Sequence, residues 1–207
     1  MQLSSQSLVD GAAIPVRHAM GVPGANGPEP GANVSPALSW SGFPAGTRSF
    51  VLVCVDPDAP SVADDVNRSD RQVPYALPRA SFFHWLLVDI PVGVTSIAEG
   101  ADATGLTPRG KPAGRAACGV RGLNDYTGWF AGDEAMSGQY GGYDGPWPPF
   151  NDERVHRYHF TIHALDVESL ALPLHFSGSD VLAAMAGHVL DQATITVTYA
   201  LNPEARL

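Results

Sequence analysis

Basic residues are scarce in this chain. Twelve Lys and Arg stand against 21 Asp and Glu, a net charge of −9. No basic stripe exists, so nucleic acid is not an expected partner. An anionic membrane surface repels such a chain at long range, and any anion it holds must be held by a local site. Cysteine is scarcer still, with only Cys54 and Cys118. Two thiols do not make a metal cluster, and their pairing cannot be read from sequence. Both read as reduced, Cys54 as a core residue inside the apolar run FVLVCV. No run approaches the ~18 apolar residues of a membrane span, so stable insertion into a membrane is not expected. The opening MQLSSQSLVDGAAIP has neither a basic n-region nor a continuous apolar h-region. It does not read as a secretory leader, and a cytoplasmic location is the expectation.

What is abundant points to β structure. The chain has 207 residues, 44% of them hydrophobic, enough for one domain over 1–207 with a sizeable core. Glycine and proline, 22 and 18 residues, make up about a fifth of it. That composition favours many turns and a mainly β architecture over a helical bundle. Charged residues are only 16%, yet no window has the composition of disorder.

Four stretches read as strands. Arg48 to Asp56 (RSFVLVCVD) is nearly continuously apolar, as in a strand buried on both faces, and Pro57 is expected to stop it. Ser81 to Ile90 (SFFHWLLVDI) is a second such run, closed by Pro91. Val155 to Leu165 alternates: His156, Tyr158, Phe160, Ile162 and Ala164 share one face, Arg157, His159, Thr161 and His163 the other. Ala193 to Leu201 puts Ile195, Val197, Tyr199 and Leu201 on one side and threonines on the other, as in a half-buried antiparallel strand. One helix is expected late in the chain. Ser179 or Asp180 caps it, and Leu182, Met185 and Val189 fall on one face. The segment from Glu99 to Pro149 holds twelve of the 22 glycines and little periodicity. Such a long connection is usually functional or hides short elements. The acidic stretch ADDVNRSD (63–70) reads as a solvated loop.

Three places put polar chemistry at the end of, or inside, an apolar strand. In VDPDAPS, Asp56 closes a buried strand; the plain alternative is a turn in which Asp side chains bond nearby amides. His84 in FFHWLL is expected to share a face with Phe82, Leu86, Val88 and Ile90, where a satisfied core histidine is the commoner occurrence. His156 and Tyr158 of HRY lie on the core-facing side where a strand begins. Metal binding by His156, His159 and His163 fares badly. His159 and His163 are separated by roughly 13 Å along a strand, and His156 points to the opposite face. HExxH, GxSxG, GxGxxG and GxxxxGK[ST] are all absent, so no metal and no cofactor is expected.

Together DPDAP (56–60), His84-Trp85 inside a strand, and GPWPP (145–149) followed by HRY (156–158) resemble the phosphatidylethanolamine-binding protein family, most of all its bacterial Raf-kinase-inhibitor-like branch. The likeness runs over nearly the whole chain, including LSSQSLVDGAAIP, SPALSWSGFPAGTRSFVLVCVDPDAP, and HALDV with the helix AMAGHVL. It implies an antiparallel β-sandwich with a C-terminal helical element beside a small anion pocket. The implied pocket residues are Asp56, His84, Gly145, Pro146, Pro148, His156 and Tyr158. The spacer FNDERV before HRY lacks the glycine many relatives carry, and Trp147 occupies the middle of GPWPP. Both departures bear on the width of the pocket mouth.

The expected role is a binding module for a phosphate-bearing small molecule or head group. The alternative is a hydrolase using Asp56, His84 and His156 as acid and base on phosphate or acyl esters. A third reading makes the glycine-rich 99–149 segment a protein-contact surface with an unidentified partner. The resemblance also allows a homodimer, whose interface the sequence does not show. A phosphate beside Asp56 is repulsive by about 4 kcal/mol at ~4 Å and an effective dielectric of 20. Protonation of His84 or His156 is expected to offset it, which predicts tighter binding as pH falls from about 8 to 6.

Overall fold

The long apolar and alternating runs become the centre of one sheet. The computed structural model describes residues 1–207. In chain order the strands are β1 (Gln2–Ser4), β2 (Gly21–Gly24), β3 (Gly27–Pro30), β4 (Leu38–Ser41), β5 (Ser49–Pro60), β6 (Arg79–Pro91), β7 (Ser96–Ile97), β8 (Gly114–Ala116), β9 (Gly119–Arg121), β10 (His156–Leu165) and β11 (Val189–Tyr199). Two short α-helices, α1 (Tyr126–Trp129) and α2 (Gly178–Met185), and one turn of 3-10 helix at Val16–His18 complete the regular structure. A six-stranded antiparallel sheet has the order β11-β10-β5-β6-β9-β8, and a three-stranded sheet has the order β1-β4-β7. β2 and β3 form a separate hairpin. Leu38, Trp40 and Ile97 of the small sheet pack on Phe50, Leu52, Cys54, Trp85, Phe160 and Ile162 of the large one, so the architecture is a β-sandwich. No helix is long and apolar enough to cross a membrane.

β10 follows its period-two pattern. His156, Tyr158, Phe160, Ile162 and Ala164 are buried, while the intervening residues are half-buried or exposed. Burying each large apolar side chain is worth about 1.5–3 kcal/mol, so a one-residue slip of this strand is strongly disfavoured. β5 is buried on both faces: Phe50, Leu52 and Cys54 enter the inter-sheet core, and Val51 and Val53 enter a second cluster with Val181 and Met185 of α2.

Several sequence expectations need correction. Pro57 does not end its strand, which runs on to Pro60. The ladder to β6 shifts between Asp56 and Ala59, so the missing proline N–H falls in an irregular stretch where no ladder bond is lost. The late helix is capped by Ser177, not by Ser179 or Asp180. The Ser177 hydroxyl accepts from the Asp180 backbone N–H, and the Asp180 carboxylate accepts from the Ser177 N–H, a reciprocal box that places Asp180 third in the helix. The helix stops at Met185, Gly187 turns the chain at φ +83°, and Val189 opens β11. Val181 and Met185 therefore form its buried face, and Leu182 is half exposed. α2 also packs on the outer cluster rather than beside the pocket described below.

A further correction concerns His84. Cys54 pairs with Trp85 and Val55 pairs with Phe83, which leaves His84 as an extra residue in β6. This bulge lets His84 and Trp85, though consecutive, both turn inward, while Phe83 and Leu86 turn to the outer cluster. His84 thus does not share a face with Leu86 and Val88. The glycine-rich 99–149 segment hides short elements as expected: β8, β9 and α1 all lie within it.

Candidate functional site

At one end of the sandwich, the starts of β10 and the middles of β5 and β6 converge on a cavity of about 320 Å³. Asp56, His84, His156 and Tyr158 line it, each at most 3% exposed. Their side chains reach one hollow because β5 and β10 are adjacent in the sheet and the β6 bulge swings His84 inward. The His84 ring meets Tyr158 edge-on at 5.2 Å between centroids, and the His156 ring stacks over Tyr158 at 6.5 Å. The wall is aromatic: Phe82, Tyr126, Trp129, Phe130, Trp147 and Phe150, with Pro148 and Pro149.

His156 is held between two carboxylates. Its Nδ1–H donates to Asp56 Oδ2 at 2.7 Å and its Nε2–H to Asp152 Oδ2 at 3.1 Å. Facing acceptors on both sides, the ring is an imidazolium. Burial opposes that charge, but the Asp56 carboxylate and the hydrogen bonds to Asp152 and Asp56 outweigh it, and the pKa is lifted to about 9. Arg79 grips Asp152 bidentately at 2.6 and 3.0 Å. Its remaining N–H groups donate to the carbonyls of Leu77, Asp58 and Pro74. Asp58 turns away from the cavity. Its pKa falls to about 2, because Arg157 and Arg154 outweigh the burial that opposes ionisation. The Asp58 N–H also closes a turn onto Asp56 Oδ1 at 2.7 Å, so the turn reading of DPDAP holds alongside its place in the cavity.

His84 is prepared differently. Its Nδ1–H donates to the Asp144 carbonyl at 2.9 Å, and the Asp144 N–H returns a bond to the His84 carbonyl at 3.0 Å. A carbonyl only accepts, so the neutral ring has its proton on Nδ1 and a lone pair on Nε2, which bonds to no protein group. Burial lowers the His84 pKa against the pull of Asp56 and the Asp144 carbonyl. The Tyr158 hydroxyl is buried with no hydrogen-bond partner. Burial, then Asp56, pushes its pKa well up, so it remains a neutral donor.

Gly145 and Pro146 do not line the cavity; they brace it from behind. The Gly145 N–H donates to Asn33 Oδ1 at 2.8 Å, and the Gly145 carbonyl accepts from the Tyr126 hydroxyl at 2.8 Å. The Pro146 carbonyl accepts from the N–H groups of Met20 and Gly21. A Cβ at Gly145 would strike the His18 carbonyl, so only glycine fits. Trp147 lies flat against Gly21, where a Cβ would overlap its ring, and this close approach turns the indole into cavity wall. Behind His84, the Asp144 carboxylate accepts from Asn33, Lys111 and Asn124. His159 and His163 stay on the outer side of β10, His159 bonding Thr196.

Several residues of this assembly escape the sequence reading. Asp152, in the FNDERV spacer, sits four residues before His156, a spacing that carries no sign of an ion pair until the spacer folds back. Arg79 lies outside every quoted motif. Tyr126, Trp129 and Phe130 do carry a legible i, i+3, i+4 aromatic pattern, which marks one face of α1.

Comparison with known proteins places this geometry in a lineage. The family model described as phosphatidylethanolamine-binding protein matches residues 4–200. A UPF0098 protein of Methanothermobacter thermautotrophicus is 36% identical over 169 residues, 82% of this chain and 84% of that protein. The UPF0098 protein YbhB of Escherichia coli is 34% identical over 199 residues, 96% of this chain and 99% of that one. Among solved structures, Escherichia coli YbcL, described as a new member of the mammalian PEBP family, aligns with a TM-score of 0.68 at 28% identity over 96% of this chain and 97% of its own. A PEBP homolog from Chlamydia trachomatis, CT736, aligns with a TM-score of 0.63 at 28% identity, covering 96% and 95%. With the family model spanning residues 4–200 and a bacterial relative one-third identical over nearly its full length, the chain belongs to the phosphatidylethanolamine-binding protein family.

Proposed function

We propose that this chain is a binding protein for a phosphate-bearing small molecule or head group, held on the floor formed by Asp56, His84 and Tyr158. The observation that carries the reading is the Tyr158 hydroxyl, buried in the cavity lining with no acceptor. An unpaired buried donor costs about 1–3 kcal/mol, and an anionic ligand oxygen relieves that cost. The aromatic wall suits the organic part of the ligand. The family name points to the same head-group chemistry.

The electrostatics support it with one revision. The imidazolium of His156 lies against Asp56 and offsets the repulsion between that carboxylate and an incoming phosphate. Its two N–H groups are already spent, so it acts through Asp56 rather than by touching the ligand. The group left to take up a proton is His84, whose pKa burial lowers from its ordinary value. An anion raises it, so affinity is expected to rise as pH falls through the pKa of the ligand-bound ring. The acid–base alternative loses ground on the same geometry, because His156 has no free nitrogen to move a proton.

Calorimetric titration with phenyl phosphate tests the proposal. Saturable 1:1 binding is expected, weakened about tenfold or more in Tyr158→Phe and His84→Ala, since a hydrogen bond to a charged group is worth about 1.5–3 kcal/mol. No binding, or binding indifferent to both substitutions, contradicts it. Steady release of phosphate that disappears in His84→Ala establishes the hydrolase instead.

A further inference from the structure

We propose that the protein has a second ligand site, apart from the aromatic-walled cavity: a hollow of about 290 Å³ formed by residues 100–107 and Lys111, which takes a small oxyanion, a carboxylate or a sulfate-like group. It shares no lining residue with the first cavity, and it stands independently of what that cavity binds.

The loop is anchored at its start and leaves donors free further on. The Gly100 N–H donates to the Ser35 carbonyl, and the N–H groups of Asp102 and Ala103 donate to the Ser35 hydroxyl. The Ser35 N–H returns a bond to the Ala103 carbonyl. Leu106 packs against the cluster of Met20, Tyr126 and Tyr140. Between these anchors, the N–H groups of Thr104, Gly105, Leu106 and Thr107 donate to no protein acceptor, and the two threonines are exposed beside them. The chain then turns back at Gly110, whose N–H donates to the Thr107 carbonyl at 2.8 Å. A Cβ at Gly110 would strike the Gln139 carbonyl, and the Lys111 carbonyl accepts from the Gly141 N–H at 2.7 Å. The turn is thereby seated on the 138–141 segment, which fixes Lys111 at the wall of the hollow before any ligand arrives.

Lys111 decides the sign of the ligand. Its side chain is only 13% exposed, and its ammonium donates to the Tyr143 carbonyl and to Asp144 Oδ1, each at 2.9 Å. An ammonium has three N–H groups, so one remains. Asp102 is the one carboxylate in the lining, and both its oxygens are engaged, Oδ1 by Arg121 and Oδ2 by the Tyr143 N–H at 2.9 Å. Asp144 accepts from Asn33 and Asn124 as well as from Lys111. A cationic ligand thus meets the Lys111 charge beside carboxylates that already have partners. A neutral ligand gains only ordinary hydrogen bonds. An oxyanion gains a charge-assisted bond from Lys111, about twice as strong, and main-chain amides can take its other oxygens. In a chain of net charge −9 the surrounding field gives no help, so the donors of this loop carry the site.

An NMR titration of the backbone amides of the full chain, at neutral pH and fixed ionic strength, tests this with four probes: acetate, sulfate, acetamide and methylammonium. Acetamide has the shape of acetate without its charge. Saturable shifts of the amides of residues 104–107 are expected with acetate or sulfate, at an affinity about tenfold or more above that of acetamide and of methylammonium. Either oxyanion behaving so supports the inference, and the tighter of the two names the kind of group the site takes. Lys111→Met is expected to weaken the binding about tenfold or more, since it removes the charged donor. The acetate–acetamide comparison is made in the unaltered chain, so it holds even if Lys111→Met does not fold. Amides of residues 104–107 that stay unmoved by both oxyanions overturn the inference, as does acetamide or methylammonium binding as tightly as the better oxyanion, or a folded Lys111→Met that binds it undiminished.

Discussion

Tyr158 carries a buried hydroxyl with no hydrogen-bond partner, which costs the folded chain stability. Tyr158→Phe is expected to leave the urea midpoint unchanged or raise stability by up to about 1 kcal/mol, since no protein hydrogen bond is lost. A clear drop in midpoint would show that the hydroxyl has a structural partner after all. His156 behaves in the opposite way: its partners are both internal, and it should titrate near pH 9 by NMR. Asp152→Asn removes one of the two carboxylates and should bring that titration down by a unit or more. An unshifted His156 contradicts the two-carboxylate account. At this scale the sequence disclosed identities but not partners. Asp56, His84, His156 and Tyr158 stand in recognisable motifs, whereas the Arg79–Asp152–His156 chain appears only once residues 79 and 152 are folded together.

At the scale of elements, irregularity places the site. The β6 bulge aims His84, the shifted ladder beyond Asp56 accommodates Pro57, and the turn at Gly145 fits against the His18 carbonyl. Gly145→Ala is expected to cost about 1–3 kcal/mol through overpacking and to weaken phenyl phosphate binding with it, because the displaced turn carries Trp147 and Pro148. Unchanged urea midpoint and affinity in that variant would mean the turn does not brace the wall. Regular periodicity made β10 legible almost to the residue, and the apolar runs gave β5 and β6 their cores. Bulges were not legible, because an extra residue leaves no mark in an unbroken apolar run such as FFHWLL. The helix boundary failed for a related reason: AAMAGHVL is apolar but for His188, and the helix is bounded by the Ser177 box at its start and Gly187 after its end rather than by hydrophobicity.

For the whole molecule, two histidines bracket the pH range of greatest stability. His156 has a folded pKa of about 9 against an unfolded 6.5, so its contribution, about 3 kcal/mol, is complete below pH 6.5 and is lost as pH rises through 9. His163 is lowered by burial to about 4, so its contribution is complete above pH 6.5 and is lost as pH falls toward 4. Urea midpoints should therefore peak near pH 6.5 and decline on both sides; a flat profile from 6.5 to 9 would contradict the charged state assigned to His156. The sandwich gives these groups their environment, but the proposed binding role rests on what the floor of one cavity accepts. The most direct measurement is a crystal of the chain grown with phenylarsonate and recorded at the arsenic absorption edge. The account predicts an arsenic peak in the cavity, with ligand oxygens in hydrogen-bond reach of Tyr158 Oη, His84 Nε2 and Asp56; an arsenic peak found only elsewhere on the molecule, with the cavity floor untouched, would contradict it.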